Sequence, residues 1–269
     1  MGESGERVTI AIRDGVADVR LNRPDKLNAL DPAMFAALIE AGEQLAREVG
    51  LRAVVLSGAG RGFCAGLDME SFAAVAAGGG IGDITARTHG PANLFQQAAF
   101  VWRQMPVPVI AAIQGVAFGG GLQIALGADM RFVAPDARLS VMEIKWGIVP
   151  DMAGMLLMRH LMRADVVREL TFTGRIVSAE EAQRIGLATA VHEDPLGAAL
   201  DTAREIASRS PDAVRAAKRL LNEADDERVA EILIAESREQ KALLGSPNQI
   251  EAVRANLERR RPVFRDADV

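Results

Sequence analysis

Hydrophobic and polar positions alternate near the start of the chain. Val8, Ile10 and Ile12, then Val16, Val19 and Leu21, flank the turn signal Asp14-Gly15, and this pattern predicts a β-hairpin. A helix is expected from about Pro32 to Val49, with Asp31 as its cap and Pro32 at its first position. Ala53-Val54-Val55-Leu56 then reads as a short buried strand that stops at Ser57-Gly58. The stretch from Ala73 to Thr88, with Gly78-Gly79-Gly80, reads as a mobile loop before a helix carrying Gln96 to Met105. Val109, Ile110 and Ile113 open a further strand, which passes through Gly119-Gly120-Gly121 into an apolar helical pattern ending at Asp129. Strands follow at Met130 to Val133 and Arg138 to Val141, on either side of Ala134-Pro135-Asp136. Met152, Met155, Met158 and Met162 predict one face of a helix, a stripe read as adaptable core. Ser178 and Glu181 have the spacing of a capping box. From Leu196 onward the pattern is helical, with breaks at Ser210-Pro211 and Gly245-Ser246-Pro247. The fold class expected is therefore α/β, with a core over residues 1–195 and a helical region over 196–269.

Composition narrows the function classes. With 31 basic and 36 acidic residues and a net charge of −5, the chain offers no basic surface for nucleic acid. Arg254, Arg259, Arg260 and Arg261 cluster late, but Glu251 and Glu258 interleave with them and suggest a solvated helix face. Val109 to Ala128 is uncharged for about the length of a membrane span. Its five glycines, with Gln114 and Gln123, argue instead for a buried strand and helix. A single cysteine, Cys64, excludes an internal disulfide framework, and MGESGERV lacks the apolar core of a signal peptide, so a cytoplasmic location is expected. His89, His160 and His192 lack metal-ligand spacing, and no metal is expected.

The candidate chemistry lies at two glycine corners and two isolated acids. Gly119-Gly120-Gly121 follows a strand, and GAGRGFCAGLD follows another; backbone N–H groups freed at such corners can hold an oxyanion. The second corner lacks the Gly-Lys-Ser/Thr ending of a phosphate loop, and no Gly-x-Ser-x-Gly elbow is present. Glu143 and Asp151 follow the triplet as proton carriers.

Taken together, LNRPDKLNALD (21–31), GFCAGLD (62–68), IAAIQGVAFGGGLQIALGAD (110–129), EIKWGIVPDMAG (143–154) and TGRIVSAEEAQRIGL (173–187) resemble the enoyl-CoA hydratase/isomerase, or crotonase, family. The resemblance spans nearly the whole chain. It implies a crotonase-like spiral of β-β-α units with two roughly perpendicular sheets. A helical C-terminal module would form a homotrimer or a dimer of trimers. It also implies an acyl-CoA substrate, with CoA entering as part of the thioester and no permanently bound cofactor. By position, the oxyanion amides are those of Leu67 and Gly120. CoA contacts are expected from Arg23, Lys26, Ala29, Ala65, Leu67 and Asp68, and Phe264 would pack over the CoA of an adjacent subunit.

The chain departs from the hydratase pattern at one decisive point. Gln123 stands where hydratases carry their first glutamate, and an amide exchanges no proton near neutral pH. Glu143 matches the second glutamate. Asp151 lies eight residues on, as does the second acid of dienoyl-CoA isomerases, although those also carry an aspartate at the position of Gln123. Isomerisation of an enoyl- or dienoyl-CoA by Glu143 and Asp151 is therefore the favoured expectation. Hydration by Glu143, with Gln123 orienting water, is the alternative, and an acyl-CoA-binding protein without turnover is the other.

Overall fold

A computed structural model describes residues 6–71, 82–225 and 228–264. The hairpin forms as expected, β1 (Val8–Arg13) against β2 (Val16–Leu21), with Arg13 opposite Val16. Asp14 (φ 49°) and Gly15 (φ 79°) both sit at positive φ, the conformation a two-residue hairpin turn needs. From there the sheet continues in parallel through β3 (Ala53–Gly58), β4 (Val109–Ile113), β6 (Met130–Val133) and β9 (Ala190–Val191). A smaller sheet joins β5 (Val116–Phe118), β7 (Arg138–Ser140) and β8 (Val177–Ser178).

Both faces of the large sheet are covered, which is why its central strands read as unbroken apolar runs. Val54, Leu56, Val109 and Ala111 pack toward α1 (Pro32–Ala46) and α2 (Leu94–Arg103) in the main core. Val55, Ile110 and Phe132 meet Ala199 and Ala203 of α7 (Pro195–Ala207) on the other face. The Asp31 side chain accepts from Met34 N, so the expected cap is present, but α1 ends at Ala46 rather than at Val49.

Between these layers lie α3 (Gly120–Leu126), a 3₁₀ turn at Glu143–Trp146, α4 (Gly154–Met158), α5 (Ala164–Thr173) and α6 (Ala179–Ile185). The C-terminal helices are α8 (Pro211–Asp225), α9 (Val229–Leu243) and α10 (Pro247–Leu257), and α8 and α10 begin at the two prolines that the sequence marks as breaks.

Two expectations are corrected. The methionine stripe does not lie on one helix: α4 holds only Met155 and Met158, Met152 sits in the turn before it, and Met162 follows it. That turn cannot be helical, because Ala153 adopts φ 66°. The Ser178 box is only half closed, since Ser178 Oγ accepts from Glu181 N at 3.3 Å while the Glu181 carboxylate turns to Arg175. A complete box occurs instead at Asn93 and Gln96. Gly78-Gly79-Gly80 and most of the expected mobile loop lie outside the described residues. Within its described end, Arg87 bonds Ile84 O, Pro91 O, Gln96 Oε1 and Ser237 Oγ. Among the described residues, no helix is long and apolar enough to cross a membrane.

Candidate active site

The two glycine corners are brought together by one register. Cys64 pairs in parallel with Ala117 through Cys64 N to Val116 O and Phe118 N to Cys64 O. Three residues further along each segment come Leu67 and Gly120. Leu67 also bridges to Leu30, where Leu30 N donates to Gly66 O and Asp68 N donates to Leu30 O. Strand pairing through residues 66 and 68 turns the Leu67 amide to the opposite side. Gly120 is the first residue of α3, where a helix leaves its N–H groups without intrahelical partners. A side chain at Gly66 (φ 89°) would put its Cβ 2.7 Å from Phe118 O and 3.7 Å from Gly120 N, so only glycine lets the corners approach this closely.

Both corners open on a cavity of about 820 Å³ lined by Phe35, Leu94, Phe95, Phe118, Trp146, Ile148, Met152 and Leu244. Polar groups within this apolar wall are few, and Glu143, Asp151, Gln123 and Gln240 are among them. Glu143 starts the 3₁₀ turn and is buried, and burial pushes its carboxyl up to about 7. Its Oε1 accepts from Gln123 Nε2 at 2.6 Å, whereas Oε2 is buried with no hydrogen-bond partner among the described residues. Asp151, partly open to the same cavity, is also raised to about 7, by burial first and then by the charge of Glu143.

Gln123 does not stand ready for water in the way a hydratase role would ask. Its Oε1 accepts from Met152 N (2.8 Å) and Gly154 N (2.9 Å), which fixes the amide with Nε2 toward Glu143. The residue ties the acid to the segment that carries Asp151. On the other side of that segment, Glu236 of α9 accepts from Ala153 N and Met155 N, each at 3.0 Å, and from Gln96 Nε2 at 3.2 Å. Burial raises Glu236 to about 8, against these donors. Gln240, one turn further along α9, accepts from Val149 N at 3.1 Å. The orphan amides at the start of α4 are therefore satisfied by side chains from α3 and α9.

The remaining predicted residues divide into two groups. Lys26, Ala29, Ala65, Leu67 and Asp68 line the cavity, with Lys26 at 3.5 Å from Glu70. Arg23 does not line it. Its guanidinium pairs with Asp68 at 2.6 Å and lies 3.7 Å from Asp31, beneath the loop that bears Ala65 and Leu67. Burial works to raise the Asp68 carboxyl, but Arg23 and the Ser71 and Glu70 amides hold it below the usual range. Phe264 is exposed and away from the cavity, as are Val263 and Leu257. Among the described residues no group of His, Cys, Asp and Glu is arranged to hold a metal ion.

Glu236 and Gln240 are the site residues that the sequence does not announce. They lie more than eighty positions from the amides they hold, at a spacing of four that any solvated helix face also shows. Leu94 and Phe95 were likewise hidden, because their segment reads as an ordinary amphipathic helix.

Comparison with known proteins agrees with this geometry. The family profile described as Enoyl-CoA hydratase/isomerase matches residues 11–267. The chain belongs to the enoyl-CoA hydratase/isomerase family. It is 34% identical to the human mitochondrial Delta(3,5)-Delta(2,4)-dienoyl-CoA isomerase over 259 residues, covering 94% of this chain and 79% of that protein. It is 32% identical to (E)-benzylidenesuccinyl-CoA hydratase of Thauera aromatica, covering 97% and 99% of the two chains. An enoyl-CoA hydratase/isomerase structure from Pseudoalteromonas atlantica superposes with a TM-score of 0.84 at 29% identity, over 96% of this chain and all of the other. Both reaction types thus occur among relatives of similar identity, and the family alone does not select between them. The choice rests on the side chains in the cavity.

Proposed function

We propose that this enzyme moves double bonds in an acyl-CoA thioester, converting a 3,5-dienoyl- or 3-enoyl-CoA to the conjugated isomer. One observation carries the reading: Glu143 and Asp151 open into a single apolar cavity, and each has a proton affinity near neutrality. At such a pH one carboxyl can be ionised while the other keeps its proton.

The step follows from that pairing. Glu143, which lies against Gly119, removes a proton from the carbon next to the thioester; the C–H electron pair moves into the chain and onto the thioester oxygen. The Leu67 and Gly120 amides stabilise that oxyanion, with one such donor contributing on the order of 3 kcal/mol. Asp151 returns a proton to the far end of the conjugated system, the C–C double bonds shift by one position, and the thioester carbonyl re-forms. Glu143 and Asp151 exchange protonation states over the cycle, and proton transfer through solvent resets them. No water is consumed.

Lys26 at the cavity rim supports a contact with the CoA phosphates, and Leu220, Leu221, Leu257, Val263 and Phe264, all exposed, support association into trimers. Light scattering at micromolar concentration tests the assembly. Absorbance assays with crotonyl-CoA, a 3-enoyl-CoA and a 3,5-dienoyl-CoA test the reaction. Turnover of the last two with little hydration of crotonyl-CoA is expected; brisk hydration that survives Asp151→Asn would make the enzyme a hydratase working with one glutamate. Binding of all three without turnover would make it an acyl-CoA carrier.

A further inference from the structure

Directly after Asp151 come the amides of Met152, Ala153, Gly154 and Met155, in a segment that is not helical until Gly154. They are held alternately from two sides. Gln123 Oε1 accepts from Met152 N and Gly154 N, while Glu236 takes Ala153 N on Oε2 and Met155 N on Oε1, each at 3.0 Å. Ala153 adopts φ 66°, a conformation disfavoured for a residue with a Cβ, which persists only where surrounding contacts over-determine it. Glu236 accepts from the N–H of that very residue.

Glu236 is buried but does not line the cavity. Its carboxyl therefore exchanges no proton with a substrate there, and what it does is hold backbone. Its own position is fixed from behind. Gln96 Oε1 accepts from Arg87 Nη1 at 3.0 Å and from Asn93 N at 3.1 Å, which turns Gln96 Nε2 toward Leu233 O (2.7 Å) and Glu236 Oε2 (3.2 Å). One residue along α9, Ser237 Oγ accepts from Arg87 Nη2 and Asn93 Nδ2. These bonds register α9 against the start of α2, so Glu236 stands on a rigid frame rather than on a loop.

The two holders differ in reach. Gln123 also donates to Glu143 and so touches both acids, whereas among the described residues the Glu236 carboxyl bonds Gln96 and the segment that follows Asp151. We propose that Glu236 is the positioning residue of the isomerisation: by fixing the Ala153 and Met155 amides it keeps the turn open and aims the Asp151 carboxyl into the cavity. This rests on the reading of Asp151 as the second proton carrier.

The two halves of the reaction give the test. Removing a proton from the carbon next to the thioester needs Glu143 and the oxyanion amides, whereas returning one at the far end needs Asp151. With a 3,5-dienoyl-CoA in heavy water, mass spectrometry reads deuterium entering the recovered substrate, and absorbance reads the shifted double bonds. Asp151→Asn sets the pattern of a lost far-end acid, with isomerisation low and exchange retained. Glu236→Met, close in shape but without an acceptor, should reproduce it: kcat for isomerisation about 10- to 100-fold below the parent, KM within about threefold, and exchange within about threefold of that in Asp151→Asn. Glu236→Gln keeps one acceptor oxygen and turns an amide nitrogen onto the other donors, so a smaller loss of about 3- to 10-fold is expected. In the Asp151→Asn background Glu236→Met should cost almost no further isomerisation. Glu236 variants that lose exchange and isomerisation together would show that the residue supports the site as a whole, and variants that lose neither would make it an ordinary core group; either result overturns the inference alone. If Asp151→Asn isomerises at the parent rate, the isomerase reading falls and takes the inference with it. Should Glu236→Met fail to fold, Glu236→Gln carries the same comparison.

Discussion

Asp151→Asn should trade activity for stability. The substitution keeps shape but removes the ionisable group. Asp151 is raised in the folded enzyme from 3.8 to about 7, by burial and then by the charge of Glu143. A carboxyl raised on folding is ionised in the unfolded chain at lower pH than in the native one. Stability contributed by this site is therefore intact below about pH 4, falls as pH rises toward 7, and stays reduced above that. A shift of that size corresponds to on the order of 4 kcal/mol at most. Water in the cavity screens part of it, so a gain of about 2 kcal/mol is expected for the asparagine variant at pH 8 and none near pH 4. Isomerisation of a 3,5-dienoyl-CoA should fall by about 10²- to 10⁴-fold in the same protein. Urea unfolding at pH 4.5 and pH 8, at one protein concentration, gives the first quantity, and the absorbance assay gives the second. Lost activity with no stability gain at pH 8 would refute the argument that Asp151 is held against its solvation, and retained activity would refute its part in the chemistry.

Glu143→Gln should lower turnover by about 10²- to 10⁴-fold while CoA-ester affinity, measured by calorimetry, stays within a few-fold, because an amide fits the site but carries no proton. Gly119→Ala should both destabilise and inactivate. Gly119 lies at φ 51°, and an added Cβ would stand 3.3 Å from Glu143 Oε1, so a loss of about 1–3 kcal/mol in urea and a more than tenfold loss of turnover are expected. Gln123→Glu would bring a second carboxyl to the 2.6 Å contact with Glu143, where two unit charges repel by about 6 kcal/mol at an effective dielectric of about 20. The pair should share one proton at neutral pH, titrate in two steps, and raise crotonyl-CoA hydration by about tenfold or more; an unchanged hydration rate would show that the amide is not what limits that reaction.

What the sequence made legible, and what it hid, follows from the range of the forces involved. The Asp14-Gly15 hairpin, the Asp31 cap and the proline starts of α8 and α10 are set by a few adjacent residues, and each appears where local chemistry puts it. The glycine corners were legible as corners. Their closeness was not, because it depends on a parallel bridge between Cys64 and Ala117, fifty-three positions apart. The strand Val116–Phe118 was missed for the same reason: it is three residues long and owes its pairing to Arg138–Ser140. The methionine segment misled because its spacing is helical, whereas Gln123 and Glu236 pull its amides to opposite sides and force Ala153 into the left-handed region. Local propensity lost there to two buried side chains. The hydrogen bonds they accept contribute about 0.5–1.5 kcal/mol each, more than the few tenths by which one residue's helix preference exceeds another's. The turn is kept open by distant acceptors, and that opening leaves Asp151 free to face Glu143 across the cavity.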